Sequence, residues 1–218
     1  THQEERDEIA KLNLMAGKKA KAAIAYRAAL EYFNTGLKLL RADSWHSSYD
    51  LTLDLYEEAV EAAYLNGNFE QMQLMAEVVL QQAKTLIDKV KVYEVKIQTC
   101  VAQSKQLEAV KIGLQALELM GIEFPEQPSM SDVQLALKET ASHLTGKEPS
   151  NLINLPEMTD PSKLTSMKLL VGIVPAAYQA APTLYLLILL QQVNISVKYG
   201  NSPLSAFSYV GYATVLCS

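Results

Sequence analysis

No proline occurs among the first 124 residues; all eight lie from Pro125 onward. Proline removes an amide donor and crowds the preceding helical turn. Its absence leaves the N-terminal part free to run as helix after helix. Cysteine is scarce too. Cys100 and Cys217 lie far apart and neither sits in a CxxC pair, which predicts a reducing compartment and two buried, apolar thiols. Charge of one sign is nowhere concentrated. The net charge is -5, and no Lys/Arg cluster is dense enough to replace the counterions of a nucleic acid, which excludes non-specific nucleic-acid binding. The densest basic spot, Lys18, Lys19 and Lys21, reads as a solvated helix face. No signal peptide is visible.

Long hydrophobic runs are missing as well. From Leu169 to Ser218 the single charged side chain is Lys198, and Leu184 to Leu190 reads LYLLILL. Yet Pro175, Pro182, Gln191, Gln192 and Asn194 interrupt this stretch. No run reaches the roughly 20 apolar residues a membrane span needs, so buried core helices are expected.

Catalytic signatures are absent. There is no GxxxxGK[ST], GxGxxG, His-Arg-Asp or Asp-Phe-Gly, and Ser104, Ser205 and Ser208 lie in no nucleophile elbow. His2, His46 and His143 are scattered. Glu139, four residues before His143, makes a helix-surface pair rather than a metal site. Glu57, Glu58 and Glu61 form an acidic helix patch expected to be solvated. No catalytic, cofactor-binding or metal-ligating residue is expected, and the chain reads as no enzyme.

What remains is ample for a core: 49% of residues are apolar and 20% charged. In the first half they return in register. Ala29, Phe33, Gly36 and Leu37 fall on one helical face. The same frame recurs at Met72, Ala76, Val79 and Leu80, then at Ala109, Gly113, Ala116 and Leu117. The spacings of 43 (72 minus 29) and 37 (109 minus 72) approach the period of helix-pair repeats. Small residues at these positions let a partner helix approach closely. Gly67 marks the turn inside the second unit, with Asn68 placed to cap the next helix and Gln71 in the reciprocal position. Ile24 and Ser104 stand where Gly67 stands, so those turns lack glycine. Tyr26 and Phe69 occupy matching positions and are expected to pack between helices; the third unit has Gln106 there. This pattern resembles the tetratricopeptide repeat, with three helix pairs over roughly residues 5 to 121. The early Trp of that repeat is absent and no Pro closes a unit.

Beyond Gly121 and Pro125 a proline-bearing linker runs over residues 122–160, with one helix from Ser131 to about Leu144. Three apolar helices are expected over residues 161–218: about 161 to 178, 182 to 199 and 203 to 218. Asp160-Pro161 supplies a cap with proline at the first helical position, a logic repeated at Ala181-Pro182 and Ser202-Pro203. Gly200 is a helix stop, and Pro175 is expected to kink or end its helix. Thr1 is no natural start, and Val215 to Ser218 stop inside an apolar helical pattern. The chain therefore reads as a piece of a longer protein, and the apolar face so exposed is expected to favour self-association, a homodimer through the C-terminal region.

Several segments carry a wider resemblance: Glu5 to Lys21 (ERDEIAKLNLMAGKKAK), Leu55 to Phe69 (LYEEAVEAAYLNGNF), Leu155 to Pro161 (LPEMTDP) and Lys198 to Pro203 (KYGNSP). In this order they resemble the helical region of large bacterial signalling kinases common in cyanobacteria. The resemblance implies a parent protein with a serine/threonine kinase-like domain, an AAA-type signalling ATPase, this helical region, a GAF sensor and often a histidine kinase. None of those other domains is in this chain, so no catalytic residue carries over.

The expected fold is all-α: a right-handed superhelix of antiparallel helix pairs, about ten helices in all. Two functions stay open. One is a cytoplasmic, non-catalytic scaffold that contacts a protein or neighbouring domains of the same chain. The other is an inducer-sensing module with a pocket near Tyr178, Tyr185 and Tyr199. Trp45, in the loop between the first two units, is an anchor or a contact residue, with anchor favoured because large aromatics bury most of their area.

Overall fold

The computed structural model describes residues 2–147 and 149–216, and the regular structure among these is helical. Eleven α-helices follow in order: α1 (His2–Ala22), α2 (Tyr26–Leu39), α3 (Ser44–Ser47), α4 (Tyr49–Leu65), α5 (Phe69–Gln82), α6 (Ile87–Ala102), α7 (Gln106–Leu119), α8 (Met130–Leu144), α9 (Pro161–Ala180), α10 (Pro182–Tyr199) and α11 (Ser205–Leu216). A short 3-10 helix spans Pro149–Asn154. The described residues form no strand, only an isolated parallel bridge between Glu157 and Asn201. The chain divides into two compact units between Thr99 and Cys100, inside α6.

In the first unit α2 packs on α1 and α4, and α4 on α5. Small residues set these approaches. A Cβ on Gly17 of α1 would run into the ring of Phe33, itself fully buried on α2. A Cβ on Gly36 would lie 2.7 Å from Leu55 of α4. Ala29, Phe33, Ala76 and Val79 are all 0% exposed in one continuous core with Leu55, Ala59 and Val92. Burying side chains of this size contributes about 1.5–3 kcal/mol each for the larger ones.

The turns after α1, α4 and α6 share one geometry. Ile24, Gly67 and Ser104 are all left-handed, with φ of 63°, 76° and 58°. In each turn the following amide bonds back five residues, to the carbonyl of Ala20, Ala63 or Cys100, at 2.8–2.9 Å. This closes the helix end as a left-handed cap residue does. Where the sequence suggests one glycine turn and two different ones, the backbone makes the same turn three times. The helices that follow are each 14 residues long. They start at Tyr26, Phe69 and Gln106, again 43 (69 minus 26) and 37 (106 minus 69) residues apart. Asn68 caps α5 by accepting from the Gln71 amide at 3.2 Å, and its side-chain amide donates to Gln71 Oε1 at 3.0 Å.

A β-branched side chain at positive φ is costly. Ile24 is also 73% exposed, so its side chain gains little there in return. Replacing Ile24 with glycine should therefore raise stability by about 1 kcal/mol and the thermal midpoint by roughly 2–4 °C. A calorimetric midpoint that stayed level or fell would mean the turn is not under this strain.

In the second unit α7 packs on α9, and α10 on α8, α9 and α11. Gly113 of α7 admits Ile173 of α9, and Gly211 of α11 lies 2.7 Å, as a Cβ would measure it, from Leu189 of α10. The segment Leu184 to Leu190 is mostly core: Ile188 and Leu190 are 0% exposed. Helix α8 starts at Met130, one residue before the expected Ser131. Its cap is Ser129, which accepts from the Asp132 amide while Asp132 accepts from the Ser129 amide, a reciprocal box. Asp160 caps α9 with its carboxylate on the amides of Ser162 and Lys163. Pro175 does not end α9, which runs on to Ala180. The proline lies on an exposed face, where the carbonyl it deprives of a partner can be hydrated. Gly200 stops α10 at φ 101°, a conformation only glycine adopts readily. Cys217 and the end of the expected last helix lie outside the described residues.

Candidate interaction surfaces

The acidic patch on α4 and the basic patch on α1 are not two solvated faces. Lys21 of α1 and Lys91 of α6 clasp Glu58 and Glu61 of α4 in one network. Lys21 Nζ lies 2.5 Å from Glu58 Oε2 and 2.7 Å from Glu61 Oε2. Lys91 Nζ lies 2.8 Å from Glu58 Oε1 and 3.2 Å from Glu61 Oε2. The Glu58 side chain is only 11% exposed and that of Lys21 20%. Lys18 and Lys19 do remain exposed, with Lys18 loosely paired to Asp54 at 3.5 Å. Burial alone would push the Glu58 carboxyl up, but hydrogen bonds and charge from Lys21 and Lys91 hold it below the ordinary range. Burial likewise opposes the charge on Lys91, and the bond to Glu58 with the nearby carboxylates outweighs it and raises that ammonium.

Glu57 lies beside this network without a cation of its own. Burial pushes its carboxyl up to about 7, against a smaller opposing pull from Lys91. Between its ordinary value and 7 the folded chain holds a proton that the unfolded chain has released. Stability must then fall as pH rises through that window, by on the order of 1–3 kcal/mol after allowing for partial exposure. Glu57→Gln should flatten urea midpoints measured at about pH 5 and about pH 8. An unchanged slope in the variant would place the titration elsewhere.

Trp45 lies in α3, half-buried against the first unit's core. Its ring stacks on Tyr56 at 5.3 Å and meets Tyr49 edge-on at 5.8 Å. Tyr49 donates to Asp88 at 2.6 Å and accepts from the Lys84 amide at 2.8 Å. The cluster ties α3 and α4 to the loop before α6, so Trp45 sits as an anchor does. Tyr26 and Phe69 are half-buried, and Phe69 stands 6.4 Å from Tyr64.

Tyr178 and Tyr185 meet edge-on at 5.3 Å across the α9–α10 turn. Tyr199 stands at the other end of α10, with the ammonium groups of Lys163 and Lys198 at 5.1 and 5.3 Å from its ring. The three tyrosines are therefore not gathered at one place. Two cavities of the second unit lie elsewhere. One, of about 690 Å3, opens between α7, the linker around Phe124 and Pro125, and the start of α10. The other, of about 640 Å3, is lined mainly by apolar side chains including Leu144, Leu152, Ile153, Tyr212 and Leu216. Nothing in the sequence periodicity marks either, because a loop and non-adjacent helices supply the walls.

His143 Nδ1 faces Asn194 Oδ1 at 3.2 Å. Among the described residues no three His, Cys, Asp or Glu side chains converge as a metal site would require. Cys100 is buried. No helix among the described residues is long and apolar enough to cross a membrane. Among the exposed apolar side chains, Ile9, Leu12 and Met15 follow one another along α1, and Phe207 and Val210 along α11.

The chain is similar to the hybrid signal transduction histidine kinase G of Dictyostelium discoideum, with 24% identity over 161 residues. The match covers 70% of this chain and 5% of that protein, so the chain spans a small part of a much longer relative. No family model matches the chain, and no solved structure matches it. The similarity points to a helical region of a signalling protein.

Proposed function

We propose that this chain is a cytoplasmic, non-catalytic scaffold of tetratricopeptide-like helix pairs wound as a right-handed superhelix. It makes protein–protein or interdomain contacts within a multidomain signalling kinase. The carrying observation is the triple recurrence of one turn and one 14-residue helix, with left-handed Ile24, Gly67 and Ser104 in register. Such units bury their faces against their neighbours and leave extended surfaces for partners. Similarity to part of a hybrid histidine kinase supports the signalling setting. Calorimetric titration of the purified chain against the domains flanking it in its parent polypeptide tests this. Binding at about micromolar Kd, typical of transient domain contacts, is expected. The absence of binding to every flanking domain would sink the scaffold role.

A second reading, an inducer sensor, rests on the cavity of about 640 Å3 beside Tyr212, within the size range of small-molecule sites. An apolar metabolite should then raise the thermal midpoint of the chain and leave Ala213→Trp, which fills that cavity, unchanged. A library that shifts neither protein removes this reading.

A further inference from the structure

The repeat register explains the exposed stripe on α1. Counted 43 residues downstream, Ile9, Leu12 and Met15 correspond to Thr52, Leu55 and Glu58 of α4. Thr52 and Leu55 are 0% exposed and Glu58 8%, whereas Ile9, Leu12 and Met15 are 47%, 61% and 57% exposed. A further 37 residues on, the positions of Leu12 and Met15 become Val92 and Val95 of α6, at 0% and 3%. At the Leu12 and Met15 positions the face of the first helix is thus covered twice and open once, while the Ile9 position becomes part-exposed Lys89 in α6. In α4 the cover is α2, whose Gly36 receives Leu55. The end unit of a repeat array ordinarily turns a polar face outward. Here the outward face is apolar.

We propose that the Ile9–Leu12–Met15 face of α1 is a docking surface for a further helix pair of the α1–α2 kind. That pair would set the small residue of its second helix, the counterpart of Gly36, over Leu12. The inference rests on the repeat reading given above. A second copy of this chain fits the surface less well, because the equivalent helices are already covered. Gly36 already receives Leu55 of α4, and its counterparts Val79 of α5 and Ala116 of α7 are both 0% exposed. At the remaining position Lys19 replaces buried Ala62, and its aliphatic stem can lie along the partner while its ammonium reaches water.

A tandem chain tests this. A second copy of residues 6–48 is placed between Ser48 and Tyr49's counterpart Arg6, giving residues 1–48 followed by 6–218. The added α2 then precedes the original α1 as α2 precedes α4. Leu12→Cys in the original α1 reports cover through its maleimide labelling rate. Labelling should be fast in the unextended chain and at least about tenfold slower in the tandem chain, which should stay monomeric by light scattering and melt at a higher temperature. Leu12→Lys at the same site should abolish the gain in midpoint. Equal labelling rates in the two chains overturn the proposal, whether the added pair folds apart or not at all. So does an unextended chain that is dimeric, labels slowly, and becomes monomeric on Leu12→Lys, since a second copy would then hold the face. Failure to bind flanking domains would remove the scaffold role and leave these labelling rates untouched.

Discussion

Glu58→Ala should lower unfolding free energy by about 3 kcal/mol, because it leaves two half-buried ammonium groups facing one carboxylate. Glu58 is the centre of the network: each of its oxygens meets a different lysine, on a different helix. With it gone, Lys21 and Lys91 share Glu61 alone. The loss should be smaller below the ordinary carboxylate range, where Glu58 in the native chain is itself being protonated and its contribution fades. A second effect has the opposite sign. Lys91, released from Glu58, can stabilise the ionised form of Glu57, so the carboxyl now near 7 should move down. Urea unfolding from about pH 2 to about pH 8 reads both effects. A loss under about 0.5 kcal/mol would mean that water screens the network as it does a surface pair. The double variant Glu58→Ala with Lys91→Met separates pair energy from the cost of the orphaned charge.

Gly200→Ala should cost about 3 kcal/mol or more, or roughly 6–12 °C in thermal midpoint. Two effects combine. The φ of 101° is strained for any residue with a Cβ, and that Cβ would run into the carbonyl oxygen of Pro156. The oxygen cannot simply move aside, since it accepts from the Asn201 amide at 2.7 Å. Asn201 also accepts from the Met158 amide at 2.8 Å and gives its side-chain amide to the Leu152 carbonyl at 2.7 Å. Its side-chain oxygen takes the Tyr209 hydroxyl at 2.8 Å. One displaced carbonyl therefore loosens the linker, the α10 end and α11 together. Gly67→Ala is the control: its φ is 76°, yet a Cβ there meets nothing within 4 Å. It should cost only about 1 kcal/mol. Similar losses for the two variants would show that strain alone, without the Pro156 contact, sets the effect.

The helices were legible because apolar period, capping residues and proline positions agree. Asp160-Pro161, Asn68 and Gly200 mark their boundaries, and α10 begins and ends as the sequence says. The α8 boundary slips by one residue because Ser129 and Ser131 both precede a helical pattern, and the Asp132 partner decides between them. The helix through Pro175 shows the same limit, since exposure of the broken bond depends on which face α9 buries. Gly17 and Gly211, which set two close helix approaches, carry no local sign of their role. The left-handed conformation of Ile24 and Ser104 is set by the helix pair around them, not by their own preference. The charge network was hidden for a related reason. Lys21, Glu58 and Lys91 look solvated one helix at a time, and only packing of three helices brings them together. Tyr178 of α9 and Tyr185 meet at the start of α10 while Tyr199 stands at its end, so residue type alone does not say which aromatics the packing brings together.

Trp45 is the one tryptophan of the chain, and its neighbours Tyr49 and Tyr56 belong to the first unit alone. Its fluorescence consequently reports the opening of α3 and α4, while circular dichroism sums over every helix. One denaturation series read by both signals tells whether the units melt as a single cooperative block. Coincident curves mean that α6, which runs across the division, transmits unfolding from one unit to the other; separated curves make that helix a hinge between two independently stable bodies.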